Sequence, residues 1–422
     1  MDRLSAIFDE VQQSPSAGFK ALVQKLRKTL QSAESEDVRQ TMLTAIWRGC
    51  MDQCLLCPKK DRTIEKMVLF LTNFISSSVV GEGDDYVLVS GIDHLLQRSR
   101  AVDKAVRLRA CQLIAGIMLK IQGAEIAEEV LVKMIDVLTP RLRDKAPNVR
   151  VWAIKVFEWL QNPEGEDDFI IEEITRLLNE DGSKEVRVAA VESICLTKTA
   201  LRLIVARVKD IKPEVRIAAM KRLSDASINA KHLDSASVAL IIRFGLNDRD
   251  ASVKVVCKGL VLKWLADYGN NVPKFLRFMD FEMNEEEVEA VCHAVMEIVE
   301  KGECNVSHDL SVAVRQDGPN WEEATVAKLN PSEILWAFNR CDYAHKHMST
   351  TSAAAFVDAL VPDMVTLGAM LQDARKPALY SSAKYQLNVR YLIRLTGFLD
   401  ASDVCGCKGL VQVCLCLCLL IT

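Results

Sequence analysis

Glycine and proline are scarce in this sequence, with 18 and 11 copies in 422 residues. That scarcity disfavours a turn-rich all-β protein and is typical of a chain made mostly of helices. Aromatic residues are also few, at 6%, although half of the residues are apolar. This apolar content excludes a disordered chain, and the length exceeds what one compact core can hold. The protein is therefore either a set of domains or a repeat array.

The chain also lacks a strong net charge, a secretory signal and a regular cysteine pattern. The formal net charge is −4, so the overall charge does not indicate a nucleic-acid binder. Residues 1–11 mix acidic and polar residues with apolar ones, unlike a signal peptide. Because the fourteen cysteines are irregularly spaced, we expect reduced, mostly buried thiols in a reducing compartment.

Sequence signatures of catalysis are missing as well. The sequence contains no phosphate-binding G-x-x-x-x-G-K-[ST] loop, no G-x-G-x-x-G, no H-E-x-x-H and no G-x-S-x-G. Cys50, Cys54 and Cys57 form a cluster without a second pair at zinc spacing, and we interpret them as the end of a buried helix. His345 and His347 lie two residues apart and point to different faces of a helix. We expect no enzyme activity, no cofactor, no metal and no small-molecule substrate.

What the sequence does contain is a recurring phrase. An acidic residue is followed by a short polar stretch, then by valine, a basic residue and small or apolar residues. The phrase reads DKAPNVRVWAI from Asp144, DGSKEVRVAAV from Asp181 and DIKPEVRIAAM from Asp210, with a weaker copy from Asp248. In each copy the acid lies six residues before the basic residue. The valines of these and the looser copies are Val38, Val106, Val149, Val186, Val215, Val253 and Val288.

The spacing of these valines indicates a helical repeat. From Val106 onward the steps are 43, 37, 29, 38 and 35 residues, close to the roughly 40–47 residues of a two-helix HEAT unit. One helix pair cannot bury such an apolar stripe alone, so the pairs must stack. The sequence thus predicts an all-α fold, a HEAT-repeat α-solenoid in which antiparallel helix pairs stack into a right-handed superhelix. We expect it to cover residues 1–403 in about eight to ten repeats, best defined over 101–300.

The phrase has a structural interpretation. The acid lies in the link between the two helices of a unit, where its carboxylate can accept hydrogen bonds from free N–H groups. The arginine is expected to pair with the link acid of its own or the adjacent repeat. The structural residues of the repeat are therefore Asp144, Arg150, Asp181, Arg187, Asp210 and Arg216.

The C-terminal third is less regular. Ser332 is a candidate N-cap of a helix in which Trp336 and Phe338 are expected to anchor packing. Residues 404–422 hold five of the fourteen cysteines. Their apolar run of about twelve residues is shorter than the roughly 20 needed to span a bilayer. We expect an atypical, aggregation-prone tail rather than a membrane anchor.

Positive charge is concentrated in a few segments. Eight basic and two acidic residues lie between Lys198 and Arg222, and five basic and one acidic residue between Arg141 and Lys155. Stacking aligns equivalent positions of successive repeats, so basic residues near the links would form a stripe that contacts duplex phosphates without reading bases. For each such residue the alternative is an ordinary solvated side chain. The candidate DNA-binding residues are Lys59, Lys60, Arg62, Arg141, Arg143, Lys145, Arg207, Lys209 and Lys212.

Four segments of the chain carry a family resemblance: RLRDKAPNVRVWAIKVFEWLQNPEGEDD from Arg141, RVKDIKPEVRIAAMKRLSD from Arg207, GLNDRDASVKVVCKGLVLKW from Gly245 and AVRLRACQLIAGIM from Ala105. They resemble the condensin G subunits, a HEAT-repeat family also known as CAP-G. Their order and spacing are kept, including the short 29-residue step. The resemblance is strong over residues 101–280 and weaker elsewhere.

The resemblance implies a non-catalytic regulatory subunit of the SMC–kleisin complex that compacts mitotic chromosomes. It implies a basic groove for double-stranded DNA, a kleisin partner of CAP-H type and indirect contact with the SMC heterodimer. It also implies a location in the nucleus and on mitotic chromosomes, with a cytoplasmic pool. The groove would draw on Lys59, Lys60, Lys145, Lys209 and Lys212, and more weakly on Arg141, Arg143 and Arg207. The alternative is a protein-only scaffold, such as a phosphatase scaffold, a transport adaptor or a cohesin-type HEAT subunit.

Overall fold

Helices make up most of the structure, a computed structural model. It describes residues 2–56, 61–77, 85–122, 126–162, 168–225, 228–279, 285–301, 319–321, 325–373, 382–399 and Val411. These residues form α-helices with short 3-10 and π segments, and no strand occurs among them. The predicted all-α class is therefore confirmed. The chain divides into two compact units, Met1–Leu203 (unit 1) and Ile204–Thr422 (unit 2).

The described helices follow one another with short connections. The first eleven are α1 (Asp2–Gln13), α2 (Phe19–Gln31), α3 (Glu36–Ala45), α4 (Asp52–Leu56), α5 (Arg62–Ser76), α6 (Asp85–Arg98), α7 (Lys104–Lys120), α8 (Glu128–Leu142), α9 (Pro147–Phe157), α10 (Phe169–Glu180) and α11 (Lys184–Ser193). The next ten are α12 (Lys198–Ala206), α13 (Pro213–Leu223), α14 (Ser235–Leu246), α15 (Ala251–Asp267), α16 (Val272–Arg277), α17 (Glu285–Lys301), α18 (Pro331–His347), α19 (Thr350–Leu360), α20 (Met364–Asp373) and α21 (Ala383–Thr396).

Helix pairs stack within each unit. In unit 1, α6 packs on α7, α8 on α9 and α10 on α11, while the second helices α7, α9 and α11 pack side by side. In unit 2, α14 packs on α15, and α15 also packs on α13. Helices α7, α9, α11, α13 and α15 carry copies of the recurring phrase, and its loosest copies lie on α3 and α17. This arrangement confirms the predicted HEAT-repeat solenoid within each unit.

The links between paired helices share one local geometry. The carboxylate of each link acid accepts a hydrogen bond from the backbone N–H two residues further on. The O···N distances are 2.9 Å for Asp144 and Ala146, 2.8 Å for Asp181 and Ser183, 2.9 Å for Asp210 and Lys212, and 2.9 Å for Asp248 and Asp250. Pro147 and Pro213 then occupy the first positions of α9 and α13, where an N–H would have no partner inside the helix.

The valine of the phrase is a core residue in most repeats. Val149, Val186, Val215, Val253 and Val288 are fully buried, and Val106 nearly so. Val38 differs, because 44% of it is exposed. Helix α3 buries Leu43 and continues through the π turn Ile46–Met51, which buries Trp47. The loosest N-terminal copy of the phrase therefore presents another face to the core.

The start of α18 differs from its prediction. The N-cap is Asn330, whose side chain accepts from the N–H of Ser332, and Pro331 is the first helical residue. Ser332 is buried and its hydroxyl donates to Asn330, so it cannot cap the helix. Trp336 is fully buried, and the Phe338 ring lies 5.4 Å from that of Phe398. The predicted tail over 404–422 lies outside the described residues, apart from Val411.

Neither a metal centre nor a single membrane span is found in the described part of the chain. There, no three His, Cys, Asp or Glu side chains form a group that could hold a metal ion. Cys54 is buried, and burial raises the pKa of Cys50 to about 11, while Cys57 lies outside the described residues. None of the described helices alone is long and apolar enough to cross a bilayer. The helices Thr350–Leu360 and Met364–Gln372 are long and apolar enough only when taken together, and a bend of 43° separates them.

Gly245 is expected to be intolerant of any larger side chain. A Cβ atom at this position of α14 would lie 2.4 Å from the Cys257 sulfur and 2.7 Å from the Met220 methyl group. We expect Gly245→Ala to lower the free energy of unfolding by about 1–3 kcal/mol, because the helices must move apart. Urea denaturation followed by circular dichroism measures the change.

Gly259 is the matched control for this prediction. It is exposed inside α15, and a Cβ atom there would meet nothing within 4 Å. Because glycine weakens a helix interior, Gly259→Ala should raise the free energy of unfolding by about 0.5–1 kcal/mol. Equal effects of the two substitutions would contradict the close packing at Gly245.

Candidate nucleic-acid interface

Arginines of the phrase connect each repeat to the next. Arg107 forms two hydrogen bonds with Asp144, of 2.7 and 2.9 Å. Arg150 binds Asp181 in the same way, at 2.8 Å for both bonds. In unit 2, Arg216 binds Asp248 at 2.6 and 2.7 Å. In these three cases the guanidinium group pairs with the link acid of the following repeat.

The same guanidinium groups also hold their own link. The Nη1 atoms donate to the backbone carbonyl six residues earlier, with distances of 2.7 Å for Arg150 and Asp144, 2.8 Å for Arg187 and Asp181, and 2.9 Å for Arg216 and Asp210. One planar group thus fixes two neighbouring links, a geometry that lysine cannot reproduce. The phrase arginines are therefore occupied inside the repeat stack and are poor candidates for phosphate contact.

These pairs shift the titration of the buried carboxylates. Burial raises the pKa of Asp144, but hydrogen bonds from Arg107 and from the Ala146 N–H, with the nearby positive charges, outweigh it and hold the pKa below its ordinary value. The pKa of Asp248 is lowered by the same balance, with Arg216 as partner. The hydrogen bond to Asp248 in turn raises the pKa of Arg216. Both acids therefore stay charged at neutral pH.

Three of the arginines predicted to contact phosphate are held by carboxylates. Arg141 Nη1 lies 3.0 Å from Asp144, and Arg207 Nη1 lies 3.9 Å from Asp210. Arg143 forms a two-point contact with the buried Glu173. Such contacts reduce the charge that these groups offer to a polyanion, although the side chain of Arg143 remains 63% exposed.

The lysines of the predicted set are more available. Lys145, Lys209 and Lys212 are exposed, and within the described residues none of them pairs with a carboxylate. The Lys209 ammonium lies 4.3 Å from the centre of the Phe244 ring, a cation–π contact that leaves the side chain exposed. Arg62 is exposed at the first position of α5. Lys59 and Lys60 lie outside the described residues.

Lys145 and Lys212 lie beside helix N-termini that have no side-chain cap. Lys145 precedes α9, and Lys212 is itself the N-cap residue of α13. The N-terminus of α11, next in the stack of unit 1, also lacks such a cap. Because a helix N-terminus carries a partial positive charge, these link regions favour an anion more than the lysines would alone.

Sequence reasoning missed Arg249 as a basic residue of this kind. It directly follows the link acid Asp248, as Lys145 follows Asp144, and it is exposed. The phrase itself contains the signal, since the residue after the acid occupies the same position in each link. The equivalent position holds Gly182 and Ile211 in two other repeats, so not every link carries a basic residue there.

Comparison with known proteins finds relatives of this chain by sequence. No family model matches the chain. Condensin complex subunit 3 of Xenopus laevis is 27% identical over 378 residues, covering 84% of this chain and 35% of the relative. The human protein of the same name is 28% identical over 313 residues, covering 73% and 30%. The chain is related to condensin complex subunit 3.

A solved structure supports the same relationship at the level of the fold. The S. pombe condensin Cnd3–Cnd2 subcomplex matches with a TM-score of 0.76 at 20% identity, covering 97% of this chain and 50% of the matched chain. The chain spans about a third of the length of the curated subunit 3 relatives. The structural match shows that this chain shares the helical fold of the matched chain over half of that chain's length.

Proposed function

We propose that this chain is a non-catalytic, DNA-binding regulatory scaffold of condensin that contacts duplex DNA through the lysines of its links. The observation that carries the proposal is the contrast between the two kinds of basic residue. The phrase arginines are taken up by link acids, whereas Lys145, Lys209 and Lys212 are exposed and free of carboxylates within the described residues. Lysine contacts to the phosphate backbone give affinity without base readout.

The names of the relatives suggest a cellular context, which belongs to the same proposal. The matched S. pombe protein was solved as a subcomplex with Cnd2. We propose that the present chain binds the kleisin subunit of CAP-H type, reaches the SMC heterodimer through it, and acts on mitotic chromosomes in the nucleus, with a cytoplasmic pool. Kleisin and DNA would then share one HEAT scaffold.

The salt dependence of DNA binding tests this function. Each neutralised phosphate releases a counterion, so three lysine contacts should lower the affinity about 40-fold between about 50 and 200 mM salt. A gel-shift titration of the full chain with two unrelated duplexes of equal length measures it. We expect the same affinity for both duplexes at each salt concentration.

Two outcomes would contradict the proposal. Affinity that does not change with salt would mean that phosphate contacts do not drive binding. The absence of any duplex binding, combined with retention of a kleisin fragment in a pull-down, would favour the protein-only scaffold instead.

A further inference from the structure

An open groove lies on the surface of unit 1. Helices α5, α7 and α9 enclose about 570 Å³ there. Leu69 and Leu119 line it with 40% and 58% of their surface exposed, and the half-buried rings of Trp152 and Trp159 complete the lining. Aromatic side chains that remain accessible beside aliphatic ones are typical of the energetic centre of a binding surface. None of these four side chains takes part in the arginine–aspartate pairs that connect one repeat to the next.

Gly116 forms part of the lining in the middle of α7. Glycine costs a helix interior roughly 0.5–1 kcal/mol relative to alanine. A Cβ atom here would meet only the Thr72 side chain, at an ordinary contact distance of 3.4 Å. Helix packing therefore does not demand glycine at this position. The missing side chain instead deepens the groove.

Two basic side chains of α7, Arg109 and Lys120, line the groove. Arg109 Nη1 donates to the Gln112 amide oxygen at 3.3 Å, and Lys120 donates to the Asn73 amide oxygen. Burial lowers the pKa of Lys120. Within the described residues neither cation forms an ion pair with a carboxylate, whereas Lys155, which also lines the groove, lies 3.5 Å from Glu192. The two cations, Arg109 and Lys120, can thus form ion pairs with carboxylates of a ligand.

The groove also contains two acids of its own. Glu158 accepts a hydrogen bond from the Ser193 hydroxyl at 2.7 Å, which turns its charge toward α11. Glu65 is exposed on α5. This mixture of signs, together with the mainly apolar lining, does not suit the continuous negative charge of a nucleic-acid backbone. A peptide with separate acidic and apolar residues fits it better.

The spacing of the cations defines that peptide. Arg109 and Lys120 are eleven residues apart on one helix, which corresponds to a rise of about 16 Å. An extended chain covers the same distance in about five residues, and its side chains return to the same face every second residue, so acids about four or six positions apart can both reach the two cations. We propose that the groove binds a short extended segment of another protein, in which two acidic residues about four or six positions apart flank apolar side chains.

A display selection followed by affinity measurement tests this docking site. The probe is a library of ten-residue peptides with two fixed glutamates about four or six positions apart and varied apolar residues between them. Peptides are selected on the full wild-type chain and counter-selected on Gly116→Met, which fills the groove. We expect enriched peptides whose affinity, measured by fluorescence polarisation, falls at least tenfold in Gly116→Met and in Arg109→Glu with Lys120→Glu.

Matched variants separate the groove from general effects. Gly259→Met adds the same side chain at an exposed helical glycine, and Lys20→Glu with Lys28→Glu changes the same net charge on α2. Both should bind the selected peptides like the wild type. Peptides with lysine in place of the two glutamates should bind the Arg109→Glu with Lys120→Glu variant better than the wild type.

Several results would overturn the proposal. One is a selection that enriches no peptide on the wild type over Gly116→Met, with both proteins equally folded by circular dichroism. Another is equal loss of affinity in the matched variants. If duplex DNA displaces the selected peptide, the groove is part of the DNA-contacting surface rather than a peptide-binding site. A wild-type chain that binds the selected peptides but no duplex DNA would leave this inference standing while removing the proposed function.

Discussion

Replacing Asp144 with alanine should lower the free energy of unfolding by about 3–5 kcal/mol, because it leaves a buried cation without its partner. Asp144 is only 3% exposed and binds three groups: the guanidinium of Arg107, Nη1 of Arg141 and the N–H of Ala146. Arg107 is 13% exposed, so water cannot replace the lost carboxylate. Urea denaturation of the full chain, followed by circular dichroism, measures the loss.

Two controls show whether the buried pair causes this loss. Asp103→Ala removes an exposed acid that only caps α7 through the N–H of Ala105, and should cost about 1 kcal/mol. Arg107→Met combined with Asp144→Ala removes both charges and should be more stable than Asp144→Ala alone. If the double variant is the less stable of the two, the explanation by an unpaired charge is wrong.

Acid titration gives an independent measure of the same interaction. The pKa of Asp144 is lower in the folded chain than in the unfolded chain, where it is about 3.9. The unfolded chain therefore binds the proton first, and the stabilisation is complete above the unfolded pKa and lost as the pH falls through the folded one. Asp144→Ala should lose less stability than the wild type over this acidic range.

The repeat itself could be predicted because its determinants are local. The acid, the proline and the buried valine lie within a few residues of one another, so the link at Asp144 could be inferred from sequence alone. The partner of the arginine could not be inferred in this way, because pairing with the acid of its own or of the next repeat depends on how the repeats stack. The structure places Arg150 on Asp181 of the next repeat.

Contacts between distant residues explain what the sequence did not show at the candidate sites. In the sequence, Arg143 is indistinguishable from an unpaired basic residue. In the folded chain it forms hydrogen bonds with Glu173, which lies 30 residues further along the sequence. The groove is assembled from three helices, and its tryptophans follow the same helical spacing as core residues. Only the exposed fractions of Leu69 and Leu119 reveal an open surface there.

Reversing the charge of the three link lysines should have the largest effect on DNA binding. We expect the combination Lys145→Glu, Lys209→Glu and Lys212→Glu to weaken duplex affinity on the order of 100-fold at about 50 mM salt and to flatten the salt slope by about three. The three side chains are exposed, so folding should be little affected, apart from the ring contact of Lys209 with Phe244. Gel-shift titration at several salt concentrations measures both quantities.

The matched control has the same net charge but different positions. Lys20, Lys28 and Lys328 are exposed lysines away from the links of the repeat stack. Their combined change to glutamate should leave the salt slope unchanged, because only contacts that release counterions contribute to it. If this variant loses as much affinity as the link-lysine variant, net charge alone accounts for binding, and the links do not form a phosphate-contacting surface. A link-lysine variant with unchanged affinity would contradict the proposed interface outright.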